Sequence, residues 1–287
     1  MQTESNSREL TFDYYGRTIA AQEWGQPGDK PVLALHGWLD NSAGFSHLAP
    51  LIKGVHFVAL DLAGHGLSDY RELGAPYNIW QDVGELFAIA DQLGWQEFSL
   101  VGHSRGAMIA VIAAGTFPER IQQLALIDGF KPGTVAADQA PQQLAKSIID
   151  TRRINGRNIA YYGSREAAIS VRERAEIPIS TAMAELLATR GVREHEEGFS
   201  WHSDQQLKIA SALKLTDEQA DAFIQRITAP TTLIIAEDGM PRLREYNQKV
   251  AARYPFIQSH SLPGGHHLHM EDNVAGVAKV LNEFFGH

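Results

Sequence analysis

The sequence predicts an α/β fold: a mostly parallel central sheet flanked by helices on both faces, with a helical cap inserted between two of its strands. Three observations carry that prediction. Short, continuous apolar runs recur along the chain, as they do in strands buried on both faces. Helical patterns separate most of these runs, and strands alternating with helices build a parallel sheet. Between about Lys131 and Leu215 the rhythm breaks, and helical patterns follow one another without a convincing strand.

The elements follow in order. From Arg8 to Trp24 the residues alternate loosely around Tyr14-Tyr15-Gly16-Arg17, which reads as a hairpin with its turn. Buried strands are expected over Pro31 to Leu35, Val55 to Leu60, Phe98 to Val101, Leu124 to Ile127 and Thr231 to Ala236, with a weaker sixth near Ile257 to Leu262. Helices are expected over Ile79 to Leu93, Arg105 to Thr116, Arg242 to Tyr254 and Val274 to Phe285. Inside the interrupting segment, Gln142 to Arg153 and Thr181 to Arg190 are also helical. No Pro/Gly/Ser-rich linker marks its edges, so residues 1–130 and 216–287 read as one core and 131–215 as a cap within it. A second helical domain joined by linkers is the alternative.

Composition excludes several classes of function. With 44% hydrophobic residues in 287, the chain can bury a sizeable core, and disorder is not expected. Thirty-four acidic against 25 basic side chains leave a formal charge of −9, which argues against nucleic acid as a partner. The interrupting segment departs from this balance, with eight arginines between Arg152 and Arg193. These either attract an anionic substrate or form the solvated faces of helices. The absence of cysteine excludes disulfides, thiolate metal sites and a cysteine nucleophile. No apolar run approaches the ~20 residues of a membrane span, and Met1 to Leu10 is polar, unlike a signal peptide. A soluble, cytoplasmic protein is the expectation. The chain has no internal repeat or low-complexity tract.

One motif carries chemistry. Gly102-His103-Ser104-Arg105-Gly106 stands at the end of a buried run and directly before a helix rich in small residues. Gly-x-Ser-x-Gly in a strand–turn–helix context presents a serine on a sharp, strained turn. The flanking glycines answer a steric demand, because residues two before and two after the serine lie too close to tolerate side chains. The following helix points its free N–H groups at the reacting centre, where negative charge develops. A bystander serine in a Gly-rich turn is the competing reading.

A serine hydroxyl needs a base to take its proton. Among 12 histidines the strongest candidate is His266, delivered on a loop by Leu262-Pro263-Gly264-Gly265-His266-His267-Leu268-His269. His267 is the second choice. A metal cluster of His266, His267 and His269 is the rival, disfavoured because consecutive side chains rarely converge on one ion. The oxyanion of a tetrahedral intermediate needs donors. The backbone N–H groups of Trp38, in Leu35-His36-Gly37-Trp38-Leu39-Asp40-Asn41, and of Arg105, which follows the serine, are the candidates.

Together these residues resemble the α/β-hydrolase superfamily. The resemblance runs through His36-Gly37-Trp38, Asp61 to Asp69, Gly102 to Gly106 and Gly265-His266. The stretch Leu35 to Asn41 and the run Leu126-Ile127-Asp128-Gly129-Phe130 are similar to the serine hydrolase-like (kraken-type) branch. Gly64-His65-Gly66-Leu67-Ser68-Asp69 is faintly like a dinucleotide loop, but Asp69 replaces the third glycine. The resemblance implies a structural turn there.

The resemblance also implies a triad acid, and here the chain departs from the commonest pattern. Many members carry the acid in a Gly-x-x-Asp turn after the strand corresponding to Thr231 to Ala236. This turn reads Ala236-Glu237-Asp238-Gly239, with glycine at the acid's usual place. Other branches, haloalkane dehalogenases among them, take the acid from the end of the preceding strand, where Asp128 stands. Asp128 is therefore the expected acid and Asp238 the alternative.

The nucleophile narrows the reaction. Haloalkane dehalogenases and epoxide hydrolases of the superfamily use aspartate where this chain has Ser104. A serine forms an acyl-enzyme, which points to a small-molecule ester or acyl substrate, with carboxylesterase the broadest class. Thioester or carbon–carbon cleavage by the same triad is one alternative, and a non-catalytic binding protein on this scaffold is another. None of these requires a metal or a cofactor. The sequence carries no signal for acyl-chain length or oligomeric state.

Overall fold

The structure, a computed structural model, describes residues 7–155, 159–175 and 177–287. The chain opens with a hairpin of β1 (Arg8–Tyr14) and β2 (Arg17–Trp24), paired antiparallel. Its two-residue turn, Tyr15 and Gly16, has positive φ at both positions (52° and 79°), the twist that matches right-handed strands. Next come β3 (Lys30–Leu35), β4 (Val55–Leu60), α1 (Ile79–Gln92), β5 (Phe98–His103), α2 (Arg105–Thr116) and β6 (Ile121–Ile127). The C-terminal part supplies β9 (Thr231–Ala236), α7 (Pro241–Arg253), β10 (Ile257–Leu262) and α8 (Val274–Phe285).

Eight strands form one sheet in the order β1-β2-β4-β3-β5-β6-β9-β10. From β4 through β3, β5, β6 and β9 to β10 every neighbouring pair is parallel, and β2 joins β4 antiparallel. The alternation of side chains along each strand divides the core into two layers. Leu33, Leu35, Leu124 and Leu126 face α1 and α2, packing on Leu86 and Ile109. Val32, Ala34, Ala125 and Ile127 face the other way, toward Phe45 and the Val277–Leu281–Phe285 stripe of α8. Both faces are therefore dry, which is why these strands read as unbroken apolar runs. The order β5-β6-β9-β10 sets the C-terminal ends of four strands side by side, and every candidate side chain of the site except those after β3 leaves from one of them.

Between β6 and β9 lie α3 (Ala140–Asn155), α4 (Arg165–Glu173), α5 (Thr181–Gly191), β7 (Val192–His195), β8 (Gly198–Trp201) and α6 (Asp217–Ile224). The β7–β8 hairpin differs from the expectation of a segment without strands. Its residues Arg193, Glu194 and His195 are exposed, so no apolar run betrays the strand. This segment docks on the core through α5, whose Met183, Ala184, Leu187 and Ala188 pack with Ala43 and Met270. Asn41 Nδ2 donates to the Leu187 carbonyl at 2.9 Å, and Arg190 pairs with the wholly buried Asp61 at 2.8 Å. Arg190 and Arg172 thus depart from the picture of arginines on solvated faces. Arg152, Arg153 and Arg174 are exposed and fit it, Arg165 at the start of α4 is half-buried, Arg193 is exposed on the strand β7, and Arg157 lies outside the described residues.

Candidate active site

Ser104 sits at the junction of β5 and α2 with φ 52° and ψ −113°, a backbone conformation that costs a non-glycine residue ~1–3 kcal/mol. Three parts hold the turn. Ser104 N–H donates to the Ile127 carbonyl at 2.9 Å, and the Ser104 carbonyl accepts from Ala107 N–H at 3.1 Å. The flanking glycines supply the third: a Cβ on Gly102 would lie 2.6 Å from the Ala107 backbone, and one on Gly106 would lie 2.1 Å from the Leu35 carbonyl oxygen. Neither position accepts a side chain.

Asp128 leaves β6 with φ 42°, and its N–H donates to the Ile234 carbonyl at 2.8 Å. Its carboxylate is wholly buried, and the two oxygens have different partners. Oδ2 accepts from His266 Nδ1 at 2.7 Å. Oδ1 accepts from Ala236 N–H at 3.3 Å and from Asn247 Nδ2 at 3.4 Å. His266 arrives on the loop after β10. That loop is fastened by Asp272, which accepts from Gly265 N–H at 2.8 Å, and by Asp238. The Asp238 carboxylate accepts from Gly264 N–H at 3.0 Å, and its own N–H donates to the Gly264 carbonyl at 3.0 Å. Of the two candidate acids the structure brings Asp128 to the imidazole, and Asp238 to the loop beneath it. Gly239 accounts for the exchange: a Cβ there would stand 3.3 Å from Asp128 Oδ2, so Asp128 already fills the space an acid at 239 would take.

Ser104 and His266 line a cavity of ≈ 180 Å³ together with Gly37, Trp38, Leu39, Asp40, His103, Arg172, Ala175, Ile177 and His267. Trp38 follows β3 and is half exposed, with its indole Nε1 donating to the Leu207 carbonyl at 3.2 Å. Arg105 is the first residue of α2, so its N–H is among the donors a helix leaves unpaired. Its guanidinium turns away to Asp82 at 2.6 Å.

Asp40 and His103 of the cavity wall, and Asn247 behind Asp128, drew no assignment from sequence. Asp40 is buried and holds Arg172 of α4 through Oδ1 at 2.8 Å. Burial works against its ionisation, but His267, Arg172 and His103 together hold its carboxyl well below the usual carboxylate range. Burial keeps the His103 imidazole neutral, far below its ordinary value, and the neighbouring His269, His266 and His267 rings add to that. His269, also buried, is pushed down to about 3 by burial first and His267 next. One ligand nitrogen from each of His103, His266 and His267 lies within 4.8 Å of the others. The metal reading weighed from sequence named His269 instead of His103, the variable residue of the Gly-x-Ser-x-Gly motif. Asn247 sits on α7 among ordinary amphipathic spacing, and nothing in its pattern announces a bond to Asp128.

Comparison with known proteins adds the family. The model of the α/β hydrolase fold matches residues 30–152. The serine hydrolase-like protein of Danio rerio is 30% identical over 285 residues, covering 93% of this chain and 84% of that one. The chain belongs to the serine hydrolase-like branch of the α/β hydrolases. Human serine hydrolase-like protein 2 is 29% identical, over 93% of this chain and 90% of its own. Among solved structures, a hypothetical protein of Pseudomonas aeruginosa is 40% identical with a TM-score of 0.88, covering 96% of this α/β hydrolase and 97% of that chain. The thioesterase domain from the curacin biosynthetic pathway is 26% identical with a TM-score of 0.83, covering 96% and 98%. Among the described residues no helix is long and apolar enough to cross a membrane.

Proposed function

We propose that this hydrolase cleaves carboxylic esters through an acyl-enzyme on Ser104, with His266 as base and Asp128 as the acid that orients it. The observation that carries the reading is the 2.7 Å contact of His266 Nδ1 with Asp128, made beside a serine held on a strained turn in the same cavity. With Asp128 accepting at Nδ1, that nitrogen holds a proton and Nε2 presents its lone pair. Nε2 takes the Ser104 hydroxyl proton as Oγ attacks the ester carbonyl. The tetrahedral oxyanion is received by the backbone N–H groups of Trp38 and Arg105, the second at the positive end of α2. Collapse breaks the C–O bond, and the departing alkoxide takes the proton from Nε2. Water, deprotonated by the same nitrogen, then hydrolyses the acyl-enzyme. Two charges appear in the step, the oxyanion and the imidazolium, and each has a fixed counterpart.

Residues 131–215 act in this proposal as a lid over the cavity. A second cavity of ≈ 330 Å³ shares Leu39, Arg172 and Ala175 with the first and continues beneath the segment, lined by Ile159, Val171 and Trp201. Its apolar walls suit an aliphatic or aromatic arm of the substrate. A fluorophosphonate probe and a panel of p-nitrophenyl esters of increasing chain length test the reading. Labelling and turnover should both vanish in Ser104→Ala. A wild-type protein that neither labels nor turns over an ester would be a binding protein on this scaffold.

The thioesterase domain among its structural relatives favours thioesters as a second reading. Competition between an oxygen ester and a thioester of the same acyl group separates the two, because the acyl-enzyme is common and only the leaving group differs.

A further inference from the structure

The turn that carries the Trp38 N–H is Gly37-Trp38-Leu39-Asp40. Asp40 N–H donates to the Gly37 carbonyl at 3.3 Å, and Leu39 at the third position has φ 63°, a conformation leucine keeps only where its surroundings hold it. The peptide between Gly37 and Trp38 is planar, so its carbonyl and the Trp38 N–H point in opposite directions from one rigid unit. Whatever grips the Gly37 carbonyl therefore aims the Trp38 N–H. Residue 37 supplies little restraint of its own. A Cβ there would lie 2.8 Å from His103 Nδ1 and 2.9 Å from Asp40 Oδ2, so it must be glycine, and glycine leaves its dihedrals free. The grip comes from two donors to that carbonyl, His36 Nδ1 of the core at 2.7 Å and the N–H of Asp40.

Asp40 and its neighbours are in turn held from residues 131–215. Arg172 of α4 donates through Nη2 to Asp40 Oδ1 at 2.8 Å. Asn41 Nδ2 donates to the Leu187 carbonyl of α5 at 2.9 Å, and Trp38 Nε1 donates to the Leu207 carbonyl, between β8 and α6, at 3.2 Å. Three separate parts of the lid thus tie side chains of one short stretch, residues 38–41. From the core side the Leu39 N–H reaches His65 Nε2 at 3.3 Å. Arg172 makes the firmest of the lid ties. Its side chain and that of Asp40 are 11% and 3% exposed, and its Nη1 is fixed by the Ile177 carbonyl at 3.1 Å. A buried carboxylate parted from its cation is costly, so Asp40 stays where Arg172 is.

We propose that the lid is part of the oxyanion hole: Arg172, the Asn41 amide and the Trp38 indole are positioning groups that aim the Trp38 N–H, Arg172 most of all. Its pull runs through the Asp40 carboxylate to the Asp40 N–H, from there to the Gly37 carbonyl, and so to the opposite end of the same peptide plane. A lid lifted from the core takes Arg172 from Asp40 and loosens that plane, so the tetrahedral oxyanion is fully stabilised only with the lid seated. What the N–H receives rests on the serine-hydrolase reading; that the lid holds the turn does not.

The experiment compares Arg172→Met and Trp38→Phe, each of which removes one tie and keeps much of the side chain's bulk, with Arg172→Lys, which keeps a cation opposite Asp40. Three quantities are read: kcat and KM on p-nitrophenyl acetate, affinity for a trifluoromethyl ketone whose hemiketal oxyanion on Ser104 fills the hole, and hydrogen exchange of residues 37–41 by mass spectrometry. Arg172→Met should lower kcat and weaken the ketone together by ~10–100-fold, with KM within ~3-fold of wild type. Trp38→Phe should do the same more mildly, and the double variant should approach the ~10²–10³ that loss of a whole oxyanion donor costs. Arg172→Lys should recover most of the loss, and Arg152→Gln, at an exposed position of α3, should change nothing. Exchange at 37–41 should quicken by ~10-fold in both single variants. Should Arg172→Met lack native circular dichroism, Trp38→Phe decides by the same measurements, since it leaves the buried charges in place. Unchanged exchange in the folded variants would overturn the lid's hold on the turn. Faster exchange with kcat and ketone affinity within ~3-fold of wild type would overturn its part in the oxyanion hole. A wild-type protein that neither hydrolyses the ester nor binds the ketone would refute the serine-hydrolase reading, and the exchange would still decide whether the lid holds the turn.

Discussion

Asp128→Asn tests the proposed triad most sharply, because the structure dictates which way the new amide must face. Asp128 Oδ1 accepts from two N–H donors, Ala236 N and Asn247 Nδ2. An amide nitrogen placed there would meet donors, so the asparagine carbonyl must take that position and its NH₂ must point at His266 Nδ1. Nδ1 then accepts, the ring proton moves to Nε2, and the nitrogen facing Ser104 is no longer a base. The variant also removes the negative charge beside the imidazolium. With charge centres ~4 Å apart at an effective dielectric constant near ~20, that pair is worth ~4 kcal/mol, or roughly 10³ in rate. Together the two effects should lower kcat/KM by ~10³–10⁴, mostly in kcat, since the carboxylate touches no substrate.

Asp238→Asn provides the internal control. An asparagine carbonyl accepts from Gly264 N–H as the carboxylate does, so activity should stay within ~3-fold of wild type. Both variants are assayed on p-nitrophenyl acetate, with circular dichroism to verify folding. If Asp128→Asn kept near-normal kcat while Asp238→Asn lost it, the assignment of the acid would be refuted, and Ser104 and His266 would keep their roles.

The other expectations follow from the same geometry. Ser104→Ala should cost ~10³-fold or more in ester turnover without loss of fold, and near-normal rates in that variant would end the serine-hydrolase reading. His266→Ala should be comparably damaging and His267→Ala and His269→Ala milder; equal losses in all three would move the base away from His266. In Asp128→Ala, adding Gly239→Asp should recover at least ~10-fold, because a side chain at 239 starts beside the vacated carboxylate position. No recovery in a folded double variant would show that the turn after β9 cannot aim an acid at His266. Burial lowers the wholly buried His36, His65, His103 and His269, so the unfolded chain takes up protons below pH ~6.5 that the folded one refuses. Each such group removes up to ~1.4 kcal/mol of stability per pH unit as pH falls, so Tm should drop by roughly 10 °C between pH 7 and 5. A flat Tm over that range would mean these rings are protonated in the fold.

The parts legible in the sequence are those in which one local pattern fixes one structural demand. Strands buried on both faces must be apolar, and β4 and β9 occur over the residues their runs suggest; the edge strand β10, with Gln258, Ser259 and Ser261 exposed, gives only a weaker run over the residues it occupies. β6 begins earlier than its run, at Ile121, because Gln122 and Gln123 at its start are not fully buried. The glycines around Ser104 answer short contacts with backbone that any chain in this turn would make. What was illegible is held by pairings distant in sequence. Asp40 and Arg172 are 132 residues apart, and neither residue type predicts a buried ion pair. Asn247 reaches Asp128 across 119 residues from a helix whose spacing is ordinary. β7, exposed at Arg193, Glu194 and His195, buries too little apolar surface for its pattern to show.

The position of the proposed acid shows how a carboxylate for such a site can be drawn from either of two neighbouring strands. β6 and β9 are adjacent and parallel, so a carboxylate from the end of either strand enters the same crevice beside the loop from β10. What the imidazole requires is an acceptor at Nδ1 in a dry place with the remaining lone pairs occupied. Asp128 meets that requirement through Ala236 N–H, a donor belonging to the very strand that elsewhere in the family supplies the acid. Once Asp128 occupies the crevice, a second carboxylate from 239 would place like charges ~3–4 Å apart with one proton between them, which raises one pKa and weakens the hold on the ring. Glycine at 239 removes that conflict. Asp238, one residue earlier, is free to fasten Gly264 and so fixes the loop that presents His266. The departure at one strand end and the presence of an acid at the next are therefore a single feature of the site, and the two should be found exchanged together or not at all.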